Sequence, residues 1–371
     1  MTLKKRRIWL IICVLIFMVA APIINLYISG YRLTSNFKII KTGGIYVYSP
    51  LNEVKIYLNN SYKKQTGIIQ DGIFLQNLKP GKYTILAAKD GFWPWQKKIE
   101  VKEEIVTELR PVLVSQNPEG ETILRGLFVK LYSSPFQKIL ALAEKNKNGS
   151  YKINFYLPDE NLFLNPRNSV SLPLVFFKNP PRLLWKENSV AIISDPSFKK
   201  EPSVIVNFNL GAQTFEAKKM AHSDEMKTLT MPDDFKNFKL SAMKNFDFYF
   251  AKMLARKKEI IWLDILNNTI WFDVNVNENE LPYFMYNEKK AVAPLKIVVP
   301  RFAVGNIDFF PARIDVIIAA ISNGIYAIEL DGRGGRSVQP IYKGKQPDFA
   351  IFKGEKIIYI LDDGNLSRVK L

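Results

Sequence analysis

The longest unbroken apolar stretch comes first. From Ile8 to Tyr31 no charged residue occurs, and Ile, Leu, Val, Phe and Ala dominate. About twenty apolar residues at ~1.5 Å each cross a ~30 Å hydrocarbon layer. A helix is the open segment that satisfies its own backbone groups there. The pattern predicts a transmembrane helix over residues 8–31, in which Ile8, Trp9, Phe17, Ile24 and Tyr27 contact the bilayer. Trp9 and the pair Tyr27/Tyr31 lie near opposite ends, where interfacial aromatics belong. Residues 1–7 form a basic stub containing Lys4-Lys5-Arg6-Arg7. The positive-inside preference holds that stub in the cytoplasm and sends the bulk of the chain outside as a single-pass membrane protein. A cleaved signal peptide is the competing expectation, with Val19-Ala20-Ala21 as its small-residue site. Pro22 directly after the cut, and an apolar run that continues to Ile28, weigh against it.

From Thr42 to Val114 the periodicity changes to short apolar or alternating runs punctuated by turn residues. Strands are predicted at Ile45–Tyr48, Val54–Leu58, Ile73–Leu75, Lys82–Ala88, Lys97–Val101 and Ile105–Leu109. Ser49-Pro50, Asn59-Asn60, Pro80-Gly81 and Asp90-Gly91 mark the bends. Such spacing without helical periodicity predicts a small antiparallel β-sandwich. Four segments carry a resemblance: Gly44–Pro50, Val54–Leu58, Leu78-Lys79-Pro80-Gly81-Lys82-Tyr83 and Lys89-Asp90-Gly91-Phe92. Residues 43–114 resemble a PEGA domain, a small β-sandwich family of exported and surface-layer proteins. The family's name-giving tetrapeptide is replaced here by Pro50-Leu51-Asn52-Glu53, Asn60 stands for a usual Gly, and Thr66-Gly67 replaces a Thr-Pro. The resemblance implies a structural or binding module and carries no catalytic residue.

Beyond a polar linker at Gln116–Gly120, residues 121–371 repeat a pair of apolar strands closed by a polar turn. Lys138–Ala143 precedes Ile153–Leu157, Ser189–Ile193 precedes Val204–Phe208, and Phe246–Phe250 precedes Ile260–Asp264. Asp315–Ala320 precedes Ile325–Glu329, and Phe349–Phe352 precedes Ile357–Ile360. Strand–turn–strand units of this kind predict an irregular β-propeller-like domain of five or six blades, with further sandwich domains as the alternative. Short helices are conceivable only at Asp224–Phe235 and Asn245–Ala255. The fold class expected for the whole is all-β after an amino-terminal transmembrane helix.

Composition narrows the chemistry. One Cys and one His in 371 residues exclude an internal disulfide framework and a Cys/His zinc site. The Cys is Cys13, inside the apolar span, and the single His222 sits in a polar loop. No Gly-x-Ser-x-Gly elbow, phosphate-binding loop or His-Glu-x-x-His occurs. Gly332-Arg333-Gly334-Gly335 reads as a hairpin turn, and Asp362-Asp363-Gly364-Asn365 lacks the closing Glu of a calcium loop. No catalytic residue, metal or cofactor is expected, and the chain reads as a non-enzyme. The alternative is a surface glycoside-cleaving enzyme with paired carboxylates in a propeller channel.

The one cluster with ligand-like chemistry is Phe92-Trp93-Pro94-Trp95. Phe92, Trp93 and Trp95 present ring faces suited to sugars, though covering the end of a small core or packing against the next domain is the preferred reading. The balance of 52 Lys+Arg against 35 Asp+Glu gives +17, spread in doublets such as Lys63-Lys64 and Lys289-Lys290. Scattered doublets suit solvation or attraction to anionic wall polymers and head groups, not a nucleic-acid stripe. The expectation is an extracytoplasmic structural or binding protein of the cell envelope. Its expected partners are the membrane and a surface polysaccharide or another envelope protein.

Overall fold

The computed structural model describes residues 3–33, 37–134, 138–167, 177, 180–187, 190–194, 204–219, 252–264, 267–277, 280–287, 290–291, 294–299, 302–352 and 355–371. Two compact units are present, Met1–Leu113 with Gly332–Ser337 and Val114–Asp331 with Val338–Leu371.

The first unit begins with helix α1, Leu3–Ile28. Its Lys5–Ile28 portion is long and apolar enough to cross a membrane, and none of it is buried against protein. Ile8, Trp9, Phe17, Ile24 and Tyr27 are all more than half exposed on its surface. The helix starts inside the basic stub and stops three residues short of the expected end at residue 31. Gly30, at φ 84°, donates its N–H to Tyr27 O at 3.2 Å and turns the chain out of the helix. Left-handed backbone at this place is the ordinary glycine stop. Tyr31, expected as a helical interfacial residue, instead opens strand β1, Tyr31–Leu33, which pairs antiparallel with β2, Ile39–Lys41.

Two sheets make the sandwich. Strand β3 (Gly43–Tyr48) lies at the centre of a three-stranded sheet, between β6 (Gly72–Leu78) and β9 (Val106–Leu109). The other sheet runs β5 (Ser61–Gln65), β4 (Lys55–Leu58), β7 (Gly81–Ala88) and β8 (Trp95–Val101). All pairings are antiparallel except that of β3 with β9, which is parallel. Strand β8 alternates strictly, with Trp95, Lys97, Ile99 and Val101 buried and the residues between them exposed. That period of two is what a sheet with one dry face requires. Strand β5 had no counterpart among the predicted strands. All five of its residues are exposed, so it carries no apolar rhythm, and the Asn59-Asn60 turn (φ 48° and 64°) fixes it as an edge.

The second unit is β-propeller-like. Strand β10, Gly120–Ser133, is joined by β11 (Leu140–Lys145), β12 (Tyr151–Leu157) and β13 (Leu162–Phe163). The next sheet contains β14 (Asn165–Pro166), β15 (Arg182–Glu187), β16 (Val190–Ser194), β17 (Val204–Asn209) and β18 (Thr214–Lys219). A third is built from β19 (Met253–Arg256), β20 (Glu259–Asp264), β21 (Thr269–Val274) and β24 (Leu295–Val298). The short pair β22 (Tyr286–Asn287) and β23 (Lys290–Ala291) interrupts it. Strands β25 (Val304–Phe309), β26 (Val316–Ile321), β27 (Gly324–Glu329) and β28 (Val338–Lys343) form the fourth. Strands β29 (Asp348–Ile351), β30 (Ile357–Asp362) and β31 (Gly364–Lys370) complete the set.

Closure comes from β10, which serves two sheets. Gly120–Phe128 pairs with β31 and Phe128–Ser133 with β11, with register shifts on both sides. The result is one seven-stranded sheet, β13-β12-β11-β10-β31-β30-β29, that works as two four-stranded blades sharing a strand. Counted this way, the described residues contain five blades. Of the strands expected at the outset, Phe246–Phe250 lies outside the described residues, as does the possible helix at Asp224–Phe235. The described tail of the other possible helix, Met253–Ala255, is part of β19.

Blades are covered on both faces by their neighbours, and the burial pattern records it. In β11, Ala141 and Ala143 pack into a core with Phe155, Ala191, Val206 and Phe208. The intervening Leu140 and Leu142 face a different core with Phe128, Tyr359, Leu361 and Leu366. Strands buried on both faces lose alternation and become continuous apolar runs, as in the fully buried Val316–Ile321.

Candidate functional site

The first strands of successive blades lie side by side, with β29 against both β10 and β25. Along them runs a chain of polar side chains. Lys252, immediately before β19, donates Nζ to Asn306 Oδ1 on β25. Asn306 in turn donates Nδ2 to Asp348 Oδ1 at 2.5 Å and to Phe349 O at 2.8 Å, both on β29. Lys130 of β10 places Nζ 3.8 Å from Asp348 Oδ2. Asp308 shares the face of Asn306, two residues on, and its Oδ1 accepts the N–H of Phe309 at 2.7 Å.

Burial dominates the electrostatics here. It pushes the Asp308 carboxyl up, with the charge of Lys252 opposing, and pushes the Lys252 ammonium down, with Asp308 and Asp348 opposing. Two carboxylates are thus matched by two lysines across four blades. Close by, Arg256 of β19 holds Glu259 at 2.8 Å and donates to Phe310 O and Arg313 O at 2.8 and 2.6 Å. Its guanidinium carbon lies 4.4 Å from the centre of the Phe309 ring. Burial raises the Glu259 carboxyl, opposed by Arg256. These carboxylates are engaged by cations and amides, an arrangement that ties strands together.

A second place is open to solvent. A cleft of about 500 Å³ lies where the β30–β31 hairpin meets the chain after β28, and Arg125, Lys343, Lys345, Asp363, Asn365 and Ser367 line it. Its wall is built around Asp362. That carboxylate accepts N–H groups from Lys345 and Gln346 at 3.1 Å and the Tyr342 hydroxyl at 3.1 Å. Burial and the neighbouring Asp362 push the Tyr342 phenol up. Gly344 is required for the approach, because a Cβ there would stand 2.0 Å from Asp362 Oδ2. Lys345 Nζ bonds Asp363 at 2.6 Å. Thr122 and Ser367, register partners across β10 and β31, bring their hydroxyls to 3.4 Å. Cations, hydroxyls and an amide on a fixed wall suit anionic or polyhydroxylated ligands.

The aromatic cluster nominated from sequence is divided by the fold. Trp95 is fully buried at the start of β8, while Phe92 and Trp93 are half-buried and Pro94 is exposed. Gly335 N–H donates to Gly332 O at 3.3 Å, so the Gly-rich segment is a turn. Asp362, considered as a calcium ligand, spends its oxygens on the loop after β28, and no cluster of metal-ligating side chains occurs among the described residues. His222 lies outside the described residues. The polar chain of Lys130, Lys252, Asn306, Asp308 and Asp348 had no sequence signal. Its members are isolated residues within strands, brought together only by ring closure.

No protein-family model matches the sequence, and no curated protein matches it. Among solved structures, the chain is similar to the β-propeller domain of the Trilobed protease from Pyrococcus furiosus. The identity is 11% over 78% of this chain and 90% of that one, with a TM-score of 0.25. It is also similar to Kluyveromyces lactis Hsv2, at 6% identity over 76% and 67% of the two chains, TM-score 0.21. A form of that protein with loop 6CD replaced by a Gly-Ser linker gives 7% identity over 76% and 86%, TM-score 0.30. At these scores the likenesses carry no argument about function, and the propeller-like description rests on strand order and pairing.

Proposed function

We propose that the chain is a membrane-anchored, extracytoplasmic structural or binding protein of the cell envelope. A retained α1 holds a PEGA-like sandwich and displays a propeller-like domain whose cleft, lined by Arg125, Lys343 and Lys345, takes an anionic or hydroxyl-rich surface polymer. The observation that carries this reading is the fully exposed apolar surface of α1 directly behind a run of four basic residues. A soluble domain has no use for such a helix uncovered. Its last turn is also clasped by Arg32 of β1, whose Nη1 donates to Tyr27 O at 2.6 Å.

The non-enzymatic reading draws support from the engagement of Asp308 and Asp348 by lysine and amide partners. Two measurements test the proposal. Protease added to intact cells is expected to degrade the large distal portion. A wall-polysaccharide array is expected to retain the detergent-solubilised protein without releasing reducing ends. Protection of the distal portion overturns the topology, and steady release of reducing ends overturns the binding role in favour of glycoside cleavage.

A further inference from the structure

We infer that the β1–β2 hairpin is a second, interfacial membrane contact, which lays Leu33, Phe37 and Ile39 into the head-group and outer acyl region of the same bilayer that α1 crosses. The inference rests on the anchor reading above. Leu33 and Ile39 are direct cross-strand partners, exposed at 60% and 62%, so their side chains stand together on one face. Phe37, in the connection between the strands, is 86% exposed and adopts φ 54°, a conformation an aromatic residue rarely takes. Ile28, the last helical residue, is 78% exposed, so the apolar surface runs on from the helix into the hairpin.

The geometry leaves little choice of occupant. Strand β1 begins three residues after the helix ends. At ~3.3 Å per extended residue, Leu33 lies within about 17 Å of the hydrocarbon boundary at most. The hairpin is also fastened close to the helix end. Gly30 O accepts both the N–H and the hydroxyl of Thr42, at 2.9 and 2.8 Å. Arg32 reaches Tyr27 O, Tyr31 O and Asn77 Oδ1 at 2.6, 2.7 and 2.6 Å, while its guanidinium carbon sits 3.6 Å from the Tyr27 ring centre. Lys41 is held by Glu104 at 2.5 Å and lies 5.2 Å from the Tyr31 ring centre. A cation and aromatic collar behind exposed aliphatic residues is the chemistry of a bilayer interface.

The test uses the full chain with Cys13→Ala, reconstituted in phosphatidylcholine–phosphatidylglycerol vesicles. Nitroxide labels are placed singly at Phe37→Cys, Ile39→Cys, Phe17→Cys and Lys64→Cys, and power saturation compares collision with oxygen and with a soluble nickel chelate. Labels at 37 and 39 are expected to favour oxygen over nickel at least several-fold relative to the label at 64. Equal nickel access at 37, 39 and 64, with the label at 17 still shielded, overturns the hairpin contact and leaves the anchor standing. Nickel access at 17 overturns both.

Discussion

Asn306 donates its side-chain amide to Asp348 across the gap between two first strands, and the same amide accepts from Lys252. Removing Lys252 leaves Asn306 Oδ1 without its donor and the buried Asp308 without the charge that opposes its desolvation, which costs about 3–5 kcal/mol. Lys252→Met is therefore expected to lower unfolding stability by that amount in urea titrations of the detergent-solubilised protein. The sign of its pH dependence follows from Asp308, whose folded value is raised. The stability it contributes is full below its unfolded value and fades as pH rises through the folded one. Loss of Lys252 raises that folded value further, so Lys252→Met is expected to regain stability from pH 7 toward pH 5. A flat profile over that range would remove Asp308 from the network.

Gly364 opens β31 at φ 77°, and a Cβ there would stand 2.2 Å from the carbonyl oxygen of Gly126 in β10. Gly364→Ala meets both a backbone and a steric penalty, and is expected to cost more than the ~1 kcal/mol of an ordinary glycine replacement. Asp363→Asn, at φ 50° in the same turn, is expected to be nearly neutral because Asn tolerates that conformation. Thermal melts of the two variants side by side provide the check.

Phe155 is the hub of the core between the first two blades, with ring centres of Phe208 and Phe215 at 4.8 and 5.0 Å. Truncating a buried aromatic of this kind costs about 3–5 kcal/mol. Phe155→Ala is expected to show that loss, whereas Phe163→Ala, 40% exposed, is expected to lose under about 1 kcal/mol.

Trp95 and Trp93 separate packing from recognition. Trp95→Ala empties the sandwich core and is expected to destabilise by about 3–5 kcal/mol. If Phe92 and Trp93 stack on sugar, Trp93→Ala weakens polysaccharide retention at unchanged stability. Unchanged retention assigns the pair to packing alone.

In the cleft, Arg125→Ala with Lys343→Ala is expected to weaken retention of an anionic polymer about 2–30-fold, since exposed charges contribute about 0.2–1 kcal/mol each. The difference should shrink as salt rises. Retention that ignores both substitution and salt would move the binding surface elsewhere.

Legibility in the sequence followed how local each signal was. The apolar span is legible because helix and bilayer impose a length, but the helix ends at Ile28, short of the end of the uncharged run: Gly30 stops it, and hydropathy does not register φ. The strands around Val47, Ile56 and Ile85 were visible through their alternation and turns. Strand β5 escaped because an edge strand with both faces wet, Ser61-Tyr62-Lys63-Lys64-Gln65, has no rhythm to detect. The run Val316–Ile321 was recognisable as a buried strand, but nothing in it names the blades that cover it. The double duty of β10 was hidden for a different reason. Its partners Leu142 and Ser367 both follow it in sequence, one close and one more than two hundred residues on. The polar chain from Lys130 to Asp348 is non-local in the same way.

The pairing of Gly120 with Val369 sets the order in which this molecule can be finished. A ribosome releases β10 long before β31, so the ring stays open until β31 has been made. On the proposed topology, an export channel that passes extended polypeptide would thus receive a propeller that has not yet locked. The latch would shut only after its final strand arrives.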